Sequence, residues 1–127
     1  MTTDPGHARA KRGRLNYLAG LAAENAVARH YERGGDTTRS RRWRGRCGEI
    51  DLIVGADNGF VFVEIKKSKT HDMAAQSLSS RQQGRILRSA AEYLAQNDPA
   101  GQAEARIDVA LVDQTGAIKI LENAIGH

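Results

Sequence analysis

The segments Gly48-Glu49-Ile50-Asp51-Leu52-Ile53-Val54 and Phe60-Val61-Phe62-Val63-Glu64-Ile65-Lys66, joined through Asp57-Asn58-Gly59, read as a β-hairpin. Asn-Gly accepts the positive φ values of a tight hairpin turn, and the β-branched and aromatic residues on either side suit strands. Side chains alternate faces along a strand, so Glu49, Asp51 and Ile53 are expected on one side and Ile50, Leu52 and Val54 on the other. By the same rule Glu64 and Lys66 oppose Val61, Val63 and Ile65. Two registers are open. With Asn58 and Gly59 as the loop, Asp51 faces Lys66 and has Glu64 on its diagonal. With Asp57 and Asn58 as the loop, Asp51 faces Glu64 directly. Both put Asp51, Glu64 and Lys66 on one face, whereas a three-residue loop would scatter them.

Neighbouring carboxylates repel and raise each other's pKa unless a cation sits between them. Oxygen donors suit Mg²⁺ or Mn²⁺, which bind through one or two carboxylates and leave the other positions to water and phosphate oxygens. The sequence therefore predicts a metal held by Asp51 and Glu64, with Glu49 as a further acid, and Lys66 acting on the nucleophile or on phosphate charge in an in-line displacement. The plain alternative is an exposed strand face with a Glu64–Lys66 ion pair, which would do no chemistry.

The charge distribution points to a polyanionic partner. The net charge of +4 divides into +7 over residues 1–46 and −3 over residues 47–127. Arg39, Arg41, Arg42, Arg44 and Arg46 surround Trp43 in a stretch without an acid. Arginine's planar fork suits phosphate, and tryptophan offers a stacking surface for an unpaired base. A charged edge strand with Trp43 in the core explains the same residues without a ligand. Other chemistries lack residues: His7, His30, His71 and His127 have no metal-ligand spacing, and there is no Gly-x-x-x-x-Gly-Lys loop. A single cysteine, Cys47, forms no intrachain disulfide, and a cytoplasmic protein is expected. Asn16, Glu24 and Asn25 interrupt the one stretch resembling a signal peptide, and no apolar run approaches the ~20 residues needed to cross a membrane.

At 127 residues the chain is expected to form one domain, over 9–127, after a disordered end at 1–8. A first helix should run from about Arg9 to Arg33, with Leu15, Leu18, Ala22 and Ala26 as its apolar stripe. Glu24 shares another side with Gly20, Val27 and Ala28, which suggests close packing against the sheet. Strands are expected over 37–44, 49–54 and 60–67, then a mobile stretch at 68–72. A second helix should start at Ser79 or Ser80, where Ser80 and Gln83 match a capping box, and end before Asn97-Asp98-Pro99. Its stripe is Ile86, Leu87, Ala90, Ala91 and Leu94, leaving Arg81, Gln82, Arg85 and Arg88 to face solvent or a phosphate backbone. Strands at 106–112 and 117–121 complete an α/β fold, with Asp108 and Arg106 as a structural ion pair.

An acid in a first helix followed by Gly-Glu-Ile-Asp-Leu-Ile and Phe-Val-Glu-Ile-Lys resembles the YraN-like family of uncharacterised bacterial proteins, from about Leu15 to Val112. That family is similar to archaeal Holliday-junction resolvases within the restriction-endonuclease-like superfamily. The resemblance implies an α-β-β-β-α-β core with a mixed sheet flanked by helices, to which a C-terminal strand is added. It carries Glu24, Asp51, Glu64 and Lys66 over as active-site positions, with Glu49 accessory. The expected function is Mg²⁺-dependent hydrolysis of DNA phosphodiesters, branched DNA included; the alternative is a nucleic-acid-binding module with a vestigial site. The chain departs from the family pattern at Ser68, where an arginine is usual, and at Gln82, where a lysine is common. Resolvases that cut two strands symmetrically need a two-fold dimer, so a homodimer is a further expectation.

Overall fold

The computed structural model describes residues 5–126. The chain runs α1 (Pro5–Arg33), β1 (Thr37–Arg44), β2 (Glu49–Ala56), β3 (Gly59–Lys67), α2 (His71–Gln76), α3 (Ser80–Asn97), β4 (Glu104–Val112) and β5 (Ile118–Ile125). The five strands form one sheet in sequential order, with β1 and β5 at its edges. All neighbours are antiparallel except β3 and β4, whose parallel pairing is reached through α2 and α3.

Both faces of the sheet are covered. Leu52, Val54, Val61, Val63, Ala110 and Val112 pack with Ala23, Val27, Ala28 and Tyr31 of α1. On the other face, Ile53, Phe62, Ile107, Val109 and Leu111 pack with Ala74 of α2 and Ile86, Ala90 and Tyr93 of α3. Phe62, Ile53 and Val27 are fully enclosed, each contributing about 2–3 kcal/mol by leaving water. The expectation of one apolar and one charged face is thus corrected, because β2 and β3 lie between two helical layers and need apolar residues on both sides.

Several boundaries move for identifiable reasons. Residues 1–4 of the expected disordered end lie outside the described residues, while Pro5 opens α1, where its fixed φ suits the first helical turn. The expected stripe of α1 is displaced: Leu15 and Leu18 are exposed, and Ala23, Val27, Ala28 and Tyr31 make the contact with the sheet. Part of the supposed mobile stretch is α2, started by Thr70, whose hydroxyl accepts from the Met73 amide at 3.1 Å. The capping box of α3 is Ser79 with Gln82 rather than Ser80 with Gln83. In α3 the buried residues are Ile86, Ser89, Ala90 and Tyr93, and Leu87 is exposed. Among the described residues no helix is long and apolar enough to cross a membrane.

Candidate active site

The hairpin ladder runs from Ala56↔Gly59 to Leu52↔Val63, so the loop is Asp57-Asn58 and Asp51 falls opposite Glu64. This is the second of the two open registers. Gly59 helps to select it: a Cβ there would lie 1.8 Å from the Glu104 carbonyl oxygen, so only glycine lets β4 begin beside the turn. At Asp51 the regular ladder stops, and the Ile65 amide donates to the Asp51 Oδ2 at 2.8 Å. Here β2 and β3 part.

The strict alternation of faces also ends at this point. Leu52 packs on the α1 side, whereas Ile50 packs with Trp43 on the α3 side. Arg41 pairs with Leu52 and Trp43 with Ile50, so both strands change face together. Between them Arg42 has a φ of +50°, in the left-handed region that a non-glycine residue enters at a cost of about 1–3 kcal/mol. The period-two grouping of Ile50 with Leu52 is therefore corrected by a local twist that opens the sheet end and turns Arg41 and Arg42 towards α1. There Arg41 donates to Asn25, and Arg42 grips the Glu24 carboxylate through Nε and Nη2 at 2.9–3.2 Å.

At the parting of the strands, Asp51 and Glu64 lie close enough for each to shift the other's titration. Glu64 is 5% exposed. Burial, and next the charge of Asp51, push its carboxyl up to about 8, with Lys66 and Arg85 opposing. Asp51 is also raised, chiefly by burial, against the favourable Ile65 amide. Burial and the neighbouring charge thus both favour the protonated form of Glu64 beside Asp51. Lys66 Nζ stands 3.9 Å from Glu64 Oε1. The two outer acids have their own arginines: Glu24 is held by Arg42, and Glu49 lies 3.5 Å from Arg44. Both are near enough to Asp51 for their charges to add to its repulsion.

These residues suit a divalent ion of limited protein coordination. Among the described residues no three His, Cys, Asp or Glu side chains gather into a metal cage. Mg²⁺ does not require one, since it is bound through one or two carboxylates plus water and phosphate. Asp51 and Glu64 are the residues that could supply those donors, and a cation between them would displace the proton that burial favours. Glu49, expected as a further acid of the site, lies 3.5 Å from Arg44.

The basic residues are less concentrated than the sequence suggests. Arg39 lies across Gly55, towards the turn end of β2 and away from Asp51. Trp43 makes an edge-to-face contact with Tyr93 at 5.4 Å and belongs to the core rather than to a free stacking surface. Gln82 is used by the cap of α3. Arg44 and Arg46 remain exposed. The Arg46 amide, however, is fixed 2.9 Å from the Glu92 carboxylate, which also accepts from the Cys47 amide. Gly48 completes this β1–β2 turn with a φ of +149°, and a side chain there would meet Arg85 Cδ at 2.7 Å. Cys47, Arg81, Gln82, Arg85 and Arg88 line a cavity of about 420 Å³ beside the carboxylate pair's end of the sheet.

Tyr31 and Glu92 carry structure the sequence reading overlooked. Tyr31 donates to the fully buried Asp108 at 2.8 Å, and Asp108 also accepts from Arg106 and from the Asn123 amide. Burial and this bond hold the Tyr31 hydroxyl far above its ordinary pKa. Asp108 is therefore a structural acid, as expected from Arg106, with two more partners. Glu92 had a legible signal, being two helical turns beyond Arg85 on the same side of α3.

Comparison with known proteins places the chain. Residues 23–112 match the model of the uncharacterised protein family UPF0102. A UPF0102 protein of Ruegeria pomeroyi is 56% identical over 93% of this chain and 96% of its own length. One from Roseobacter denitrificans is 46% identical over 95% and 94%, and one from Dinoroseobacter shibae 40% over 91% and 87%. Spanning nearly the full length of such relatives, with most of its length matched by the family model, the chain belongs to UPF0102.

Proposed function

We propose that the protein is a Mg²⁺- or Mn²⁺-dependent endonuclease acting on DNA, with a branched duplex among its candidate substrates. The observation that carries this reading is the buried Asp51–Glu64 pair beside Lys66, because two neighbouring buried acids are poised for a divalent cation. When bound, the metal would supply an activated water and charge stabilisation at the phosphate. Asp51 and Glu64 would hold it. Lys66, 3.9 Å from Glu64, would orient the nucleophile and counter phosphate charge. Glu24, gripped by Arg42, would receive a water's proton or hold that water in position. Arg81, Arg85 and Arg88 would hold a phosphate group of the substrate, Arg44 and Arg46 extending that surface. Cytoplasmic location follows from a DNA substrate, and symmetric cutting would require a homodimer.

A nucleic-acid-binding module with a vestigial site is favoured by one observation: Gln82 is bound into the α3 cap, so the side chain at that position gives the substrate no cation. The two readings separate on four-way junctions, flaps, linear duplex and single strands incubated with Mg²⁺, Mn²⁺ or EDTA. Cleavage that requires the metal and disappears in Glu64→Ala supports the nuclease. Binding without metal-dependent cleavage supports the module.

A further inference from the structure

Among the described residues, the first half of α1 is largely exposed and stands clear of the sheet. From Gly6 to Leu18 the residues are exposed apart from Ala8, which is half-buried, and burial begins only at Ala23. This overhang is about 20 Å long at 1.5 Å per residue. These thirteen residues continue the half of α1 that is anchored on the sheet, so they need no separate nucleation and are held out from the body of the fold. They carry Arg9, Lys11, Arg12 and Arg14, and no acid occurs from Pro5 to Ala23.

The arrangement of these cations narrows the partner. At about 100° per residue they point in four directions and leave no sector wider than about 140° without a positive charge. A flat anionic surface would use one side only. A membrane surface would require apolar residues gathered opposite the cations. Instead Leu18 falls within about 40° of both Lys11 and Arg14. A second copy of the arm would bring four more cations and no acid against it. Cations all round a helix match a slot with phosphates on both walls. The major groove of B-form DNA, about 12 Å wide, admits a helix in this way, whereas the major groove of A-form RNA is too narrow.

We propose that the N-terminal half of α1 is a groove-entering arm for duplex DNA, a surface additional to the carboxylate site. The inference rests on the nucleic-acid reading above. At 1.5 Å per residue Arg14 lies about 15 Å along the helix from Glu24, a distance that a duplex engaged by the arm can span. Exposed Tyr17 and Leu15 sit at the base of the arm, where they can cover sugar and thymine-methyl surface.

The test is equilibrium binding of the full chain to a duplex DNA, a duplex RNA of the same sequence and a single strand between 50 and 200 mM salt. A variant with Arg9, Lys11, Arg12 and Arg14 replaced by alanine is compared, its helix content checked by circular dichroism. Two to four lost phosphate contacts should weaken duplex DNA binding roughly 50- to 4,000-fold and flatten the salt slope by about two to four. Guanine N7 protection from methylation should disappear in the variant, and RNA affinity should change little. Wild-type protein that binds no nucleic acid overturns the functional reading and this proposal with it. Binding and slope left unchanged by the substitutions overturn the arm alone, and equal losses on DNA and RNA overturn the groove. A wild-type dimer dissolved by Leu15→Asp with Leu18→Asp, alongside unchanged DNA affinity in the alanine variant, would assign the arm to a second copy.

Discussion

Replacing Glu64 by glutamine should stabilise the metal-free protein, and increasingly so as pH rises. Burial and Asp51 raise the Glu64 carboxyl from 4.5 to about 8. A raised folded-state pKa means that the folded protein binds the proton more tightly, so its contribution is complete below the unfolded value and is lost as pH climbs through the folded one. Between these limits stability falls by about 1.4 kcal/mol per pH unit, an upper loss near 5 kcal/mol. Glutamine cannot ionise and its amide can still donate to Asp51, so it imitates the protonated acid at every pH. The variant also loses the Lys66 contact at 3.9 Å, which offsets part of the gain. Near pH 5 the two proteins should be within about 1 kcal/mol, and at pH 8.5 the variant should be ahead by about 3 kcal/mol, roughly 10 °C in Tm. Urea and thermal unfolding in EDTA measure both values. The other titrating groups are common to both proteins and cancel in the difference. An equal gap at both pH values, or a glutamine variant less stable at pH 8.5, would refute the account of Glu64 as a buried acid that favours its protonated form.

Lys66→Ala should keep Mg²⁺ and DNA binding, measured by calorimetry and anisotropy, while cleavage falls by about 10²-fold or more, whereas Glu64→Ala should lose metal binding as well as cleavage. Tyr31→Phe removes a donor from fully buried Asp108 and should cost about 1–3 kcal/mol in urea unfolding, and Asp108→Ala more, because Arg106 and the Asn123 amide then also lose an acceptor. Glu92→Ala should free the β1–β2 turn, speeding hydrogen exchange at the Arg46 and Cys47 amides by at least about tenfold with little change in the β3–β4 core.

The hairpin was legible because alternating β-branched residues around Asn58-Gly59 are a local signal. Its register was not, since a non-local contact, Gly59 against the Glu104 backbone, helps to choose between loops one residue apart. Similarly, Leu15 and Leu18 attracted the apolar stripe of α1 because they are its large hydrophobic residues. The sheet instead takes Ala23, Val27 and Ala28, which permit close approach, and leaves the leucines on the overhang. The change of face at Arg42 had no sequence signal. Arginine has no preference for a positive φ, and the conformation is held by contacts from Arg41 and Arg42 to Asn25 and Glu24, sixteen to eighteen residues away.

That change of face separates the four acids into unlike pairs, a distinction their sequence spacing conceals. Glu24 and Glu49 sit at the rim, each beside an exposed arginine. Asp51 and Glu64 lie inside the opening, where burial rather than mutual charge is the first cause of their raised pKa values. Among the described residues only Lys66 stands in ion-pair range of that inner pair, and at 3.9 Å it does not neutralise two charges. A cation entering the opening therefore gains most by meeting Asp51 and Glu64. Approaching Glu49 would mean displacing Arg44 for a ligand whose charge is already balanced. Two protein ligands from the inner pair, with the remaining positions left to water and phosphate, are what the parting of the strands would offer such an ion.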